Sequence, residues 1–399
     1  MSTSTASPAP SVSRALTSRR TPLRFDRAEL AGAFGDIGTD LPLLVGVIIA
    51  VGLDPTTVFV VYGALQVMSG LVYRMPMPVQ PLKAMAAIAI AGAVTAPMLA
   101  AGGLIVGVTM LLLALTGALT WIAGVVPKPI VRGIQTGLGL QLAHLALVRY
   151  VPTDGPLMGW GLGALSLAVV ALLIRNRRVP AALVVIGLGM LVAAVTWPAS
   201  VPAPFGVGLP TLPARWPHAD EFAAAALLLA LPQLALSLGN SVLATRQVVA
   251  DFFPEREPLT VRKIGTTYGL MNLISAPLGG LPVCHGSGGI AGHYAFGART
   301  GGSIVLYGGF LVLAGVFLSS NPAAFQRLFP SAVLGALLLV EAVAILRLVG
   351  DLADDRQGFA AALLCGLIAA FVPYGYAVVL VVGTPAYVLL RRSREWRGT

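Results

Sequence analysis

The chain has 399 residues, of which 57% are hydrophobic and 11% charged, with 26 Lys and Arg against 16 Asp and Glu. A water-soluble domain carries about 25% charged residues, so this composition excludes an ordinary soluble globule and indicates a polytopic membrane protein. The formal charge of +10 reads as basic residues gathered in cytoplasmic loops rather than as a nucleic-acid footprint.

Residues 1–27 are rich in Ser, Thr, Pro and Ala and carry Arg14, Arg19, Arg20, Arg24 and Arg27 without an apolar run, so they are no secretory signal. An Arg- and Ser-rich start also suits an organelle transit peptide, but the Ala, Gly, Leu and Arg bias favours a disordered cytoplasmic tail of a bacterial permease. Fourteen apolar stretches follow. In the first half they are 28–51, 55–73, 81–95, 98–125, 129–148, 157–174 and 179–197. In the second they are 222–248, 261–276, 285–297, 302–320, 330–348, 358–371 and 373–390. A Pro-rich linker at 198–221 separates a first repeat, 28–197, from a second, 222–391, and is expected on the extracytoplasmic side; 392–399 is a short cytoplasmic tail. Both termini are expected inside, because Arg175, Arg177, Arg178, Arg246, Arg256, Arg262, Lys263, Arg347 and Arg356 then fall in cytoplasmic loops.

The halves resemble each other. Gly35-Asp36 recurs as Gly239-Asn240 and Pro78-Val79 as Pro282-Val283, both at an offset of 204 residues. Tyr62-Gly63 and Tyr268-Gly269 follow close to that offset, as do Pro127 with Gly133 and Pro330 with Gly335. Seven segments per half is odd, so the second repeat is inverted relative to the first. Inverted repeats with interrupted helices are a secondary-transporter signature. The fold class expected is therefore an all-α polytopic membrane protein with about 14 segments, a 7+7 inverted repeat and two half-helices.

The two short stretches, 81–95 and 285–297, lie below the roughly 20 residues that a span requires. Met75-Pro76-Met77-Pro78-Val79-Gln80-Pro81 cannot be helical through its prolines. It should run extended, with a helix starting near Pro81; Gly279 to Cys284 should do the same before a helix near His285-Gly286-Ser287. Extended backbone at membrane depth survives only where it is buried in protein or lines a cavity. Paired half-helix N-termini offer an anion the N–H groups of Leu82, Lys83 and Ala84 and of Gly286, Ser287 and Gly288. Lys83 adds a full charge, and a buried lysine marks function by default.

Asp36 and Asp40 share a helical face beside this site and suit either proton coupling or structural support, as ion-pair partners or caps. Ser237, Asn240 and Ser241 supply neutral donors in the eighth stretch. Glu341 reads as a helix-pairing or gating group and His144 as a core histidine. Cys284 and Cys365 form no disulfide framework, and no metal or other cofactor is expected. The chain shows neither a GxxxxGK[ST] loop nor a nucleophile–base–orienter set, so neither primary pumping by this chain nor an enzyme is expected.

FGDIGTDLPLL at 34–44, PMPVQPLKAMAA at 76–87, VPKPIVRGIQTGLGL at 126–140 and PVCHGSGGIAGHYAFGARTGGS at 282–303 resemble the bacterial and plant molybdate transporter family, a relative of the SulP sulfate permeases. The resemblance spans both repeats. It implies uptake of molybdate, with sulfate or passive anion exchange as alternatives, and the fold of the uracil permease and SulP proteins, in which a core domain moves against a gate domain. It implies substrate contacts at Thr39, Gln80, Pro81, Lys83, Asn240, Cys284, His285, Gly286, Ser287 and Gly288, with Asp36 and Asp40 supporting the site or carrying a coupling proton. It also implies a cell (inner) membrane location, a coupling proton or other cation, and a homodimer as in relatives of this fold. Two departures matter. SulP permeases carry a cytoplasmic STAS domain, and none is expected in the few residues after the last segment. Nucleobase permeases hold the base with acids in segments 8 and 10, and neither segment has a central acid here.

Overall fold

The computed structural model describes residues 22–92, 94–176, 179–318 and 321–395. In the first half, α1 (Arg27–Ala33) and α2 (Ile37–Val51) form one span bent by 42°. Then come α3 (Pro55–Tyr73), β1 (Val79–Pro81), α4 (Lys83–Ala91), α5 (Ala96–Thr116), α6 (Ala118–Val125), α7 (Lys128–Leu145), α8 (Pro156–Leu173) and α9 (Ala181–Val195). The second half opens with α10 (Ala219–Ala225), α11 (Leu231–Leu236) and α12 (Thr245–Phe252), joined through π-helical turns at Ala226–Ala230 and Ser237–Ala244. It continues with α13 (Val261–Ser275), β2 (Val283–His285), α14 (Ser287–Ala295), α15 (Gly302–Phe317), α16 (Pro322–Leu328), α17 (Ser331–Leu346), α18 (Arg356–Phe371), α19 (Gly375–Val378) and α20 (Thr384–Glu395).

Every one of the fourteen expected stretches carries helix. Among the described residues five continuous helices are long and apolar enough to cross a membrane, and α1 with α2 makes a sixth across its bend. The remainder are short or interrupted. Local chemistry sets the boundaries. Asp54 accepts from Thr57 N at 2.8 Å to cap α3, with Pro55 in the first turn, where its missing N–H costs nothing.

The inverted repeat is visible in which helices pack together. α3 lies along α15, and their repeat counterparts α13 and α5 lie along each other. α7 with α18 and α17 with α8 make the same exchange in a second group of helices. Backbone closeness follows this symmetry. A Cβ on Gly63 would sit 2.6 Å from the Gly308 carbonyl oxygen, and one on Gly269 would sit 2.8 Å from that of Gly107.

Residues 1–21 and 396–399 of the expected tails lie outside the described residues, as do Arg177 and Arg178. The folded part starts earlier than expected. Arg24 N donates to Thr300 Oγ1 at 3.2 Å, and the buried Glu29 accepts from the backbone of Arg299, Thr300 and Ser303 at 2.8–3.1 Å. The linker is laid across the end of α15, where Gly206 N and Gly208 N donate to Phe317 O and Val316 O. Beneath it, residues of the linker, α3 and α5 line a cavity of about 680 Å³. His144 is exposed on α7 and is no core histidine.

Candidate anion site at the paired broken spans

The two extended stretches form an antiparallel strand pair, which the prolines and glycines alone did not disclose. Val79 lies opposite His285, Gln80 opposite Cys284 and Pro81 opposite Val283. Gln80 therefore faces its own repeat counterpart, and the local two-fold axis runs between them. Each strand is clamped by a side-chain amide. Gln66 of α3 accepts from Val79 N at 2.9 Å and donates to Val79 O at 2.7 Å. Asn272 of α13 accepts from Val283 N at 2.9 Å and donates to Val283 O at 2.6 Å. Ser69 Oγ and Ser275 Oγ then hold Met77 O and Leu281 O, each at 2.6 Å. These contacts satisfy backbone groups that no water could reach at membrane depth.

The N–H groups at the start of α4 are not left to an anion, contrary to expectation. At α4, Gln233 Oε1 accepts from Ala84 N at 3.0 Å and Met85 N at 3.3 Å, and Leu82 N donates to Pro282 O at 3.0 Å. The N–H groups of Leu82 and Ala84 are thus taken by protein acceptors. At α14 the helix begins at Ser287 with Gly286 as cap, and a Cβ on Gly288 would meet nothing within 4 Å. Space opens beside Gly288, which is exposed, while Ser287 is half-buried.

Lys83 projects from the first turn of α4 and forms an ion pair with Glu341 of α17. Thr39 Oγ1 donates to the other Glu341 oxygen at 3.1 Å. Gln80 Nε2 donates to Asp36 Oδ2 at 2.5 Å, so Asp36 binds the strand pair and caps no helix through its side chain. Asp40 is fully buried near the Tyr62 and Tyr307 hydroxyls, and among the described residues neither of its carboxylate oxygens has a hydrogen-bond partner of normal geometry. Cys284 and Pro81 are buried within the ladder.

His285 departs from the expected donor role at the helix start. Its Nε2 meets Thr267 Oγ1 at 2.9 Å and its Nδ1 meets Pro78 O at 3.2 Å, so both ring nitrogens tie strand to scaffold. The side chain of Asn240 lies outside the described residues; its backbone belongs to the Ser237–Ala244 turn. Sequence reasoning missed Gln233, Gln66 and Asn272 and left Glu341 without a partner. An amide or acid inside an apolar run was the available signal.

A cavity of about 670 Å³ between α7 and α12 is lined by Lys128, Arg132, Leu238 and Arg246. Asp351 accepts from Arg132 Nε at 3.0 Å and pairs with Lys128 at 3.0 Å, so the basic rim is partly neutralised.

An inverted repeat whose broken spans meet back to back around a buried lysine defines a membrane transporter of the anion-transporter fold. Solved structures share it. The transmembrane domain of a cyanobacterium bicarbonate transporter, BicA, has a TM-score of 0.65 at 17% identity, covering 90% of this chain and 99% of that one. The murine anion transporter Slc26a9 in the inward-facing state has a TM-score of 0.71 at 14% identity, covering 94% and 70%. The family model described as "Molybdate transporter of MFS superfamily" matches residues 28–142 and 225–345. Molybdate transporter 2 of Arabidopsis thaliana is 31% identical over 91% of this chain and 87% of its own length. Molybdate transporter 1 of Chlamydomonas reinhardtii is 27% identical over 87% and 88%. The chain belongs to the molybdate transporter family.

Proposed function

We propose that this protein is a secondary transporter that imports molybdate across the cell (inner) membrane, with both termini in the cytoplasm. The observation that carries the reading is Lys83, buried in the first turn of α4, which leaves a strand pair whose other strand leads into the first turn of α14. A cation and a helix N-terminus together suit a tetrahedral dianion. Thr39 and Gln80, in the same constellation, supply neutral donors. Rocking of the group containing α1 to α5 and α10 to α15 against the group of α7 to α9 and α17 to α20 would expose the site to either side in turn. The basic cavity at Lys128 and Arg246 would collect anions at the cytoplasmic mouth. Asp40 and Asp36 are the groups available to a coupling proton.

Titration of the detergent-purified protein with molybdate, tungstate and sulfate tests this reading. Tight molybdate and tungstate binding with weak sulfate binding supports it. Sulfate binding equal to or tighter than molybdate would assign a sulfate permease, and no oxyanion binding by folded protein would overturn the reading.

A further inference from the structure

Glu341 stands where a transported anion would stand. One carboxylate oxygen pairs with Lys83 Nζ and the other accepts from Thr39 Oγ1. A carboxylate is itself an oxyanion, and a cation with a hydroxyl is the donor set that a tetrahedral oxyanion requires. Both donors lie on elements of the first helix group, α4 and α2. Glu341 lies on α17, which packs along α7 and α8 in the second group and touches α2. Both charged side chains are nearly enclosed, Lys83 with 10% and Glu341 with 13% of the side chain exposed. The nearby acid Asp36 is engaged with Gln80 instead.

The pair is not a requirement of the repeat. The counterpart of Lys83 is Ser287, and the stretch of α7 matching Glu341, Gly137-Leu138-Gly139, carries no acid. A charge pair present on one side only serves a task other than holding up the symmetric fold.

We propose that Glu341 is a tethered competitor for the substrate anion: it neutralises Lys83 and latches α17 to α2 and α4 when the site is empty, and the arriving oxyanion displaces it. Tethering gives the carboxylate a high effective concentration, so it holds the site against weak anions. Displacement breaks the contacts from Glu341 to Lys83 and Thr39, which links occupancy to movement of the two helix groups. This inference rests on the oxyanion-transport reading.

The test is molybdate titration of full-length wild type, Glu341→Gln and Glu341→Asp, with uptake of radiolabelled molybdate into proteoliposomes. Gln removes the competing charge; Asp keeps a charge but draws it back from Lys83 by one methylene. Both variants should bind molybdate more tightly, Gln by about tenfold, the scale of one lost charge-assisted contact. Uptake by both should fall, because the latch that couples occupancy to movement is gone. A merely structural role predicts weaker binding instead. Binding equal to or weaker than wild type in a variant that melts as wild type does overturns the proposal. If Glu341→Gln fails to fold, Glu341→Asp decides. If neither folds, infrared difference spectra of wild type carrying ¹³C-labelled Glu decide: a carboxylate band must shift on molybdate addition, and its absence overturns the proposal. Failure of wild type to bind molybdate would instead sink the functional reading.

Discussion

Lys83 and Glu341 are separated by 258 residues in sequence and form an ion pair between the first half-helix and α17. The contact joins the two groups of helices at the point where both repeats interrupt their spans. Lys83 is therefore at once the full positive charge of the candidate site and a strut between the two groups of helices. Burying a charge pair contributes little net stability, but removing one partner strands the other.

Lys83→Gln should abolish molybdate binding and lower the melting temperature, by about 1–3 kcal/mol of stability, because Glu341 loses its counter-charge in a nearly enclosed site. The double variant Lys83→Gln with Glu341→Gln should recover most of that stability and still fail to bind. Melting curves and titrations of the three proteins check both halves. Binding by the double variant would show that Lys83 does not hold the anion.

The amide clamps make a graded prediction. Asn272→Leu leaves both the N–H and the carbonyl of Val283 without the partners they have here. Gln66→Leu orphans Val79 N, but Val79 O keeps the Tyr62 hydroxyl at 2.5 Å. Each stranded buried backbone group costs about 1–3 kcal/mol. Asn272→Leu should therefore melt at a lower temperature than Gln66→Leu, and both below wild type. Equal melting would mean that the ladder alone holds the strands.

The two neighbouring glycines at the start of α14 should respond differently. A Cβ on Gly286 runs into the Gln80 side chain, which is itself pinned to Asp36. Gly286→Ala should displace Gln80 and destabilise the protein. Gly288 faces open space, so Gly288→Phe should fold with a wild-type melting temperature and block uptake by filling the space beside the first turn of α14. Normal uptake by Gly288→Phe would remove the first turn of α14 from the substrate path.

The break points of the fold were legible because proline speaks locally. Three prolines between Met75 and Pro81 forbid helix whatever surrounds them, and the recurrence of Pro78-Val79 at Pro282-Val283 announced the inverted partner. What the broken spans do to each other was not local. Strand pairing depends on bringing Gln80 opposite Cys284 across two hundred residues of chain, and extended backbone in an apolar run names no partner. The same holds for the helix start at α4. The sequence alone leaves its first N–H groups open to an anion, but Gln233, one amide in the run Leu227 to Leu236, reaches over from α11 to close them. Lys83 was legible as a candidate site residue by its cost in a membrane; its tie to Glu341 was visible only in three dimensions. His285 misled for the opposite reason: its place at the helix start suggested a ligand donor, and the register of β2 turns both nitrogens inward.

Asp40 carries the last prediction. It is enclosed in the first helix group near the Tyr62 and Tyr307 hydroxyls, and among the described residues neither carboxylate oxygen has a hydrogen-bond partner of normal geometry. An ionised carboxylate in that setting is expensive, by several kcal/mol, whereas the neutral acid or an amide is not. Asp40→Asn should therefore fold with unchanged or higher stability and bind molybdate within about twofold of wild type, since Lys83 and Thr39 are left in place. What it should lose is proton linkage. In proteoliposomes an acid-outside pH step should drive molybdate accumulation by wild type and not by Asp40→Asn, while molybdate exchange at equal pH persists in both. Accumulation by Asp40→Asn equal to wild type would move the coupling proton to another group, with Asp36 next, because Gln80 engages one of its carboxylate oxygens and leaves the other able to take a proton.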